Sequence, residues 1–319
     1  MKVLAFAGGV GGAKLADGLA QALNPGDLTV VVNTGDDFEH LGLRICPDLD
    51  TVCYTLAGIA NPATGWGRAG ETWNALESLA ELGGPTWFRL GDRDLGTHLE
   101  RTKLLQEGQA LSSITRRFCQ AWGVRHTVLP MSDDPVRTMV ISDEGELEFQ
   151  DYFVRRQYRP HVRGFYFNGL KDSHPAPGVL EAIAESSLVV FCPSNPWVSI
   201  DPILSVPGIR SALKSNLEKS KPVIAVSPII GGQAVKGPAA QMYEELGMQP
   251  SALAVARHYG SSQAGGLLTS FVLDRIDSEQ EASLSEFGVR TLVTDTIMHT
   301  AEDRRRLALD ILQFWEIPV

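Results

Sequence analysis

The chain opens with a strand, a turn of four glycines and a helix, MKVLAFAGGVGGAKLADGLAQAL, and few folds accommodate that order. Val3 to Ala7 is an unbroken apolar run, as a strand covered on both faces requires. Gly8, Gly9, Gly11 and Gly12 follow. Without Cβ atoms they let the backbone turn sharply and bring its N–H groups close to an anion, while the helix directs its positive dipole end at the same point. A first βα unit of this kind predicts a doubly wound α/β sheet with a phosphate cradle at the carboxyl end of its first strand.

The turn fits neither common fingerprint. A P-loop requires G-x-x-x-x-G-K-[ST], and Lys14 is followed by Leu15, which offers magnesium no hydroxyl. The dinucleotide pattern G-x-G-x-x-G, started at Gly9 and Gly11, ends on Lys14, where close helix–strand packing wants a small residue. Either the turn binds a phosphorylated ligand of another class, or it is a plain βα turn with no anion at all.

Strand-like runs alternate with helical patterns at both ends of the chain, which predicts a mostly parallel sheet with helices on both faces. The predicted strands are Val3–Ala7, Leu28–Asn33, Leu188–Cys192, Val223–Ser227, Ala252–Ala256, Ser270–Leu273 and Thr291–Val293. A last helix begins at a capping signal, Thr300 with Asp303, and carries Leu307, Ile311, Leu312, Phe314 and Trp315. Between about 61 and 164 the pattern changes to three short helices, around Trp73 to Ala80, Leu95 to Thr102 and Ile114 to Trp122. A hairpin, Val136–Ser142 and Leu147–Phe153 around Asp143 to Gly145, completes this block. The expected architecture is one domain, a Rossmann-like three-layer α/β/α core from 1–60 and 165–319 with a smaller inserted lobe at 61–164. A ligand cleft is expected where lobe meets sheet.

With 319 residues, 44% hydrophobic and 21% charged, the chain is long enough for a large core. A formal net charge of −10 argues against a nucleic-acid surface. No apolar run is long enough to span a bilayer and the N-terminus enters a strand with no basic leader, so a cytoplasmic location is expected. Cys46, Cys53, Cys119 and Cys192 show no C-x-x-C pairing and read as reduced, buried thiols rather than a zinc site.

After the second strand comes NTGDDFEHLGLRICPDLDT, with Asp36, Asp37, Glu39, Asp48 and Asp50 beside a single cation, Arg44. So many acids with so little compensation want a positive partner, and magnesium takes one or two carboxylates together with substrate phosphates. Asp36 and Asp50 are candidate ligands, one from each end of the loop. A second role is open to them, since Asp50 and Thr51 directly precede a helical run and an acid there can serve as an N-cap. A dinucleotide site would ask instead for a lone acid at the strand end, where the chain has Asn33, Thr34 and Gly35.

AGGVGGAK, VVNTGDD, RICPDLDT, FRLGDRDLGTHL, LPMSDDPVRT, FCPSNPWVSI, VPGIR and VSPIIGG stand in the order and spacing of the 2-phospho-L-lactate transferase family of coenzyme F-420 synthesis, which this chain resembles from its first strand to about Gly232, and more weakly beyond. The resemblance implies a Rossmann-like core with a helical lobe, a requirement for Mg²⁺, and transfer of a phospho-acid from a diphosphoguanosine donor to the ribityl hydroxyl of the deazaflavin Fo, releasing GMP. RICPDLDT is closer to the actinobacterial pattern, which points to phosphoenolpyruvate as the origin of the group. Position by position, the family's Fo contacts fall on Asp50 and Arg89, the diphosphate on Gly9, Gly11 and Gly12, and the stretch next to guanosine on Ser194 and Asn195. Lys14 is Arg in many relatives and adds a cation beside the phosphates.

An alcohol attacking an activated diphosphate needs no Ser–His–Asp or Cys–His nucleophile. Positioning and charge neutralisation carry such chemistry. The expected machinery is Mg²⁺ on Asp36 and Asp50, a neighbouring carboxylate, Asp37 or Asp50, as proton acceptor, and Arg89 on Fo or the transferred phosphate. His98 is expected to be a structural hydrogen-bonder, Trp73 a core anchor of its helix, and Arg155, Arg156, Arg159 and Arg163 either a basic rim or a solvated edge. A homodimer is expected. The competing functions are a nucleotide-sugar-binding regulator of the related gluconeogenesis-factor family and, less well supported by the glycine pattern, an NAD-dependent oxidoreductase.

Overall fold

A computed structural model describes residues 1–317. Seven strands form one sheet paired in parallel throughout: β1 Val3–Ala7, β2 Leu28–Val32, β3 Thr127–Pro130, β4 Leu188–Phe191, β5 Val223–Val226, β6 Ser270–Asp274 and β7 Arg290–Thr294. Their spatial order is β7-β6-β5-β4-β1-β2-β3. The order reverses between β1 and β4, and in such sheets ligands bind in the crevice beyond the carboxyl ends at that reversal.

Every residue of β1 is buried, because the two faces of the strand enter two cores. Leu4 and Phe6 join Val31, Val189 and Phe191 on one side, where the Phe6 and Phe191 rings stack with centroids 5.4 Å apart. Val3, Ala5 and Ala7 join Leu15, Leu19, Leu307 and Ile311 on the other. There the helix after the glycine turn, α1 (Gly9–Ala22), lies against the last helix, Ala301–Phe314, so tightly that a Cβ on Gly18 would stand 2.1 Å from the carbonyl oxygen of Arg304. The predicted cap of that last helix is present: Thr300 accepts from the Asp303 N–H and Asp303 reaches back to the Thr300 N–H. Burial of each large apolar side chain in these layers contributes roughly 1.5–3 kcal/mol.

Three expectations are corrected. Ala252–Ala256 is not a strand but the start of a helix, Ala252–Tyr259, whose N-cap Ser251 accepts from the Ala254 N–H. Its buried residues Ala252, Val255, Ala256 and Tyr259 follow the helical period, not the alternation of a strand. The block 61–164 is not wholly an insertion either, since β3 lies inside it and forms the sheet edge beside β2. The remainder of the block does lie outside the sheet. After α2 (Pro47–Leu56) it comprises α3 (Asn74–Glu81), α4 (Asp92–Gln106), α5 (Leu111–Ala121) and a hairpin, Arg137–Ser142 with Gly145–Glu148. The hairpin's second arm ends at Glu148, and Asp151–Arg155 continues as a π-helix rather than a strand. A third antiparallel strand, Val162–Asn168, crosses the expected boundary and pairs with the first arm.

Candidate active site

A cavity of about 570 Å³ opens over the β1/β4 reversal. The glycine turn, the acidic loop, α2, α4 and the segment after β4 all contribute to its wall.

On the glycine side the missing Cβ atoms serve a close approach of two turns. A Cβ on Gly11 would stand 2.4 Å from the Pro193 carbonyl oxygen, and one on Gly12 would stand 2.6 Å from Ser194 Oγ. Ser194 locks the two turns together, its hydroxyl donating to Gly8 O at 2.9 Å and accepting from Gly8 N at 3.2 Å. Gly9, at φ +61°, donates its N–H to Asp48 Oδ1 at 2.7 Å. The N-cap, Gly8, brings no side chain of its own, so beyond Gly9 the N–H groups of the first turn have no acceptor within the helix, and Val10 and Gly11 line the cavity. Lys14, on the cavity wall, donates to Met298 O at 2.7 Å, and burial with the nearby charges of Arg304 and Lys236 pushes its pKa down. Asn195 is a cap, its Oδ1 accepting from Trp197 N at 3.0 Å, and it also lines the cavity.

Asn33, directly after β2, organises the acidic side. Its Oδ1 accepts from Gly35 N at 2.8 Å, which fixes the orientation of the amide. Its Nδ2 then faces three acceptors, Asp36 Oδ1 at 3.0 Å, Asp48 Oδ2 at 2.9 Å and Val198 O at 3.0 Å, with only two hydrogens to give. Both acids are buried and line the cavity. Burial, and then the charge of Asp48, pushes Asp36 well above the usual carboxylate range. Burial pushes Asp48 to about 6 in spite of the bonds from Asn33 and Gly9. Neither forms an ion pair among the described residues. Two neighbouring carboxylates of this kind need a shared proton or a cation.

The carboxylate brought to Asp36 is therefore Asp48, not Asp50. Asp50, in the first turn of α2, lines the same cavity but is held from behind by Arg101, whose Nη1 donates to Oδ2 at 3.0 Å and whose Nη2 donates to Oδ1. It is no N-cap, since Cys46 occupies that position. Asp37 turns away from the cavity toward Arg44, at 3.4 Å, and burial outweighs that cation to place it at about 6. As a proton acceptor for a ligand in the cavity it is badly placed.

His98 is buried beside Asp50 and lines the cavity, with Nδ1 3.2 Å from Arg101 Nη1. Its Nε2, 3.4 Å from Asp94 Oδ1, makes no hydrogen bond among the described residues, so the expected structural hydrogen-bonder is bonded through one nitrogen. Arg89 lines the cavity and stacks over Trp73, 4.4 Å from the ring centroid. Trp73 does not anchor a core, because α3, which it precedes, has no buried residue. Trp66, Trp87 and Phe88 add aromatic wall. Arg155 and Arg156 pair with Asp151, and Arg156 also with Glu144, so these two are braced; they do not line the cavity, although Phe153 and Val154 beside them do. The four cysteines are free and buried.

Sequence reasoning passed over Asp48 and Arg101. Asp48 was visible as one acid among five, and only the fold brings it to Gly9 and Asn33. Arg101 sits mid-helix in a charged stretch, LERTK, that reads as solvated surface.

A model of the family described as 2-phospho-L-lactate transferase CofD matches residues 3–303. The chain belongs to this family. Among curated relatives, the phosphoenolpyruvate transferase of Streptomyces griseus is 42% identical, with 99% of each chain covered. That of Thermobifida fusca is 44% identical over 88% of each chain, and that of Streptomyces coelicolor 41% identical over 99% of this chain and 98% of its own. A solved structure of a UPF0052 family protein from Bacillus halodurans shares the fold, with a TM-score of 0.60 at 17% identity over 97% of this chain and 98% of its own. The function of a 2-phospho-L-lactate transferase family member is phospho-acid transfer in coenzyme F-420 synthesis, and this chain is a transferase of that kind. No helix among the described residues is long and apolar enough to cross a membrane.

Proposed function

We propose that the enzyme transfers an enolpyruvyl phosphate from its diphosphoguanosine-activated form to the ribityl hydroxyl of Fo, releasing GMP. The observation that carries this is a glycine turn opening a helix and, directly against it in the same cavity, two buried carboxylates that have no cation of their own. A diphosphate accompanied by a divalent cation would complement the N–H groups and the carboxylates together. The names of the relatives and the RICPDLDT segment favour phosphoenolpyruvate over phospholactate as the source of the group.

The donor set suits Mg²⁺, because Asp36 and Asp48 offer only hard oxygens and their mutual repulsion is relieved by a cation. Asp36 and Asp48 would hold the ion, with Asp50 beside them on the same wall, and bound there it supplies charge neutralisation for the diphosphate. The protein's own groups do the rest. The first turn of α1 and Lys14 bind the diphosphate, Ser194 and Asn195 border the guanosine, and Arg89 with the aromatic wall holds Fo. Asp50, whose carboxyl pKa is raised by burial against the opposing charge of Arg101, keeps lone pairs beyond those the guanidinium takes and accepts the proton of the Fo hydroxyl as the hydroxyl oxygen bonds to phosphorus and the bond to the GMP oxygen breaks. The enzyme is read as a cytoplasmic homodimer.

Incubation with Fo, Mg²⁺ and the enolpyruvyl, lactyl and glyceryl diphosphoguanosines in turn tests this. The expected result is a coupled deazaflavin and equimolar GMP, fastest with the enolpyruvyl donor. Binding of a nucleotide sugar with no product from any donor would favour the regulatory alternative instead.

A further inference from the structure

Arg101 is the largest fully buried side chain in the described structure, 2% exposed, and it stands in the middle of a helix whose mean character is polar. A guanidinium taken out of water loses its hydration, and an apolar side chain of similar size would tie α4 to α2 at least as well. The charge is used on named partners. Both oxygens of Asp50 are taken by the two terminal nitrogens of Arg101, and Nη1 also lies 3.2 Å from His98 Nδ1 and 3.4 Å from the Arg44 carbonyl oxygen.

The contact to Nη1 makes His98 Nδ1 an acceptor, which leaves Nε2 to carry the proton of a neutral ring; Nε2 stands 3.4 Å from Asp94 Oδ1 without a hydrogen bond. Asp94 is itself held by the Tyr54 hydroxyl at 2.7 Å. Asp94, His98 and Arg101 follow the helical period along α4 and so share one face, which backs the acceptor side of the cavity. The fork fixes the plane of the Asp50 carboxylate as well as its place, and a single ammonium could not do so.

We propose that Arg101 is a positioning residue of the transfer reaction, aiming the Asp50 carboxylate at the acceptor hydroxyl without touching either substrate. The proposal rests on Asp50 meeting the Fo hydroxyl, as put forward above. Through this one planar pair α4, whose first turn is formed by the GDRD segment, is joined to PDLDT at the start of α2. Arg101 contributes nothing to the glycine side, where the donor's diphosphate would bind.

Steady-state kinetics of Arg101→Lys and Arg101→Ala, with Fo and donor varied separately, test the proposal alongside the affinity for GDP. Arg101→Lys keeps the charge and loses the fork, so kcat should fall about tenfold or more while KM for the donor and GDP affinity stay within about twofold. Arg101→Ala should fall further and recover part of its kcat with millimolar guanidinium, because the ion can re-enter the space beside Asp50. Wild-type kcat in Arg101→Lys would overturn the proposal. So would a loss confined to thermal stability and GDP affinity, which is the signature of a purely structural residue. If Arg101→Ala does not fold, Arg101→Lys decides alone. Absence of transfer by the wild-type enzyme would contradict the proposed function, not this inference.

Discussion

Gly11 lies against Pro193 so closely that a Cβ would stand 2.4 Å from the carbonyl oxygen of Pro193. The contact joins the turns after β1 and β4, the two strands between which the sheet reverses its order. The crevice where a diphosphate would sit is thus built by the absence of a side chain, and the obstructing atom is backbone, which cannot swing aside.

Gly11→Ala should therefore displace one of the two turns. The expected cost is about 1–3 kcal/mol of stability, read as a lower thermal midpoint, together with weaker GDP binding. Unchanged values for both would mean that the crevice is looser than the contact implies.

Asp48→Asn should separate metal use from folding. An amide can keep the bond from Gly9 N and removes one of two repelling carboxylates, but it turns its NH2 toward Asn33 Nδ2 and loses that bond. The relieved repulsion offsets the lost bond, so the metal-free protein should still fold with a thermal midpoint close to that of the wild type, while the Mg²⁺ concentration for half-maximal turnover should rise about tenfold or more. An unchanged magnesium requirement would exclude Asp48 as a ligand.

Asp92 gives a pH signature outside the cavity. It accepts from Thr72 Oγ1 at 2.6 Å, Asn74 Nδ2 at 2.8 Å and the backbone N–H groups of Ala75 at 3.0 Å and Asn74 at 3.1 Å, pinning the start of α3 to the start of α4. The Thr72 hydroxyl first, then these N–H groups, hold its carboxyl down to about 2 from an ordinary 3.8. A depressed folded pKa contributes stability that is present above about 3.8 and lost as pH falls toward 2. Hydrogen exchange at Asn74 and Ala75 should accelerate over that interval, and Asp92→Asn should show the faster exchange already at neutral pH.

Trp73 and Arg89 form an exposed-side stack at the cavity's edge. Trp73→Ala should free Arg89 and raise KM for Fo several-fold with little change in thermal midpoint, since α3 buries nothing. A large loss of stability instead would restore Trp73 as a core residue.

The parallel sheet was legible because its central strands are apolar on both faces, and the glycine turn because only a close approach calls for four glycines there. The edge strand β3 was not, since its four residues end in a proline and sit inside a helical block. The helix from Ala252 carries small apolar residues that satisfy either period over five positions, and only its buried Tyr259 and the Ser251 cap settle the matter. In the site, the acids could be seen but not their pairing. Asn33 selects Asp48 through a contact 15 positions away, and Arg101 reaches Asp50 across 51. Local pattern has no access to either.

The division of labour within the cavity is tested most directly by Asp50→Asn, assayed for product formation and for GDP affinity in the same preparation. Transfer to Fo should be abolished while GDP binds within about twofold of wild type, because the glycine turn and Ser194 are untouched. Normal turnover by Asp50→Asn with Fo and the enolpyruvyl donor would remove Asp50 from the mechanism and contradict the account.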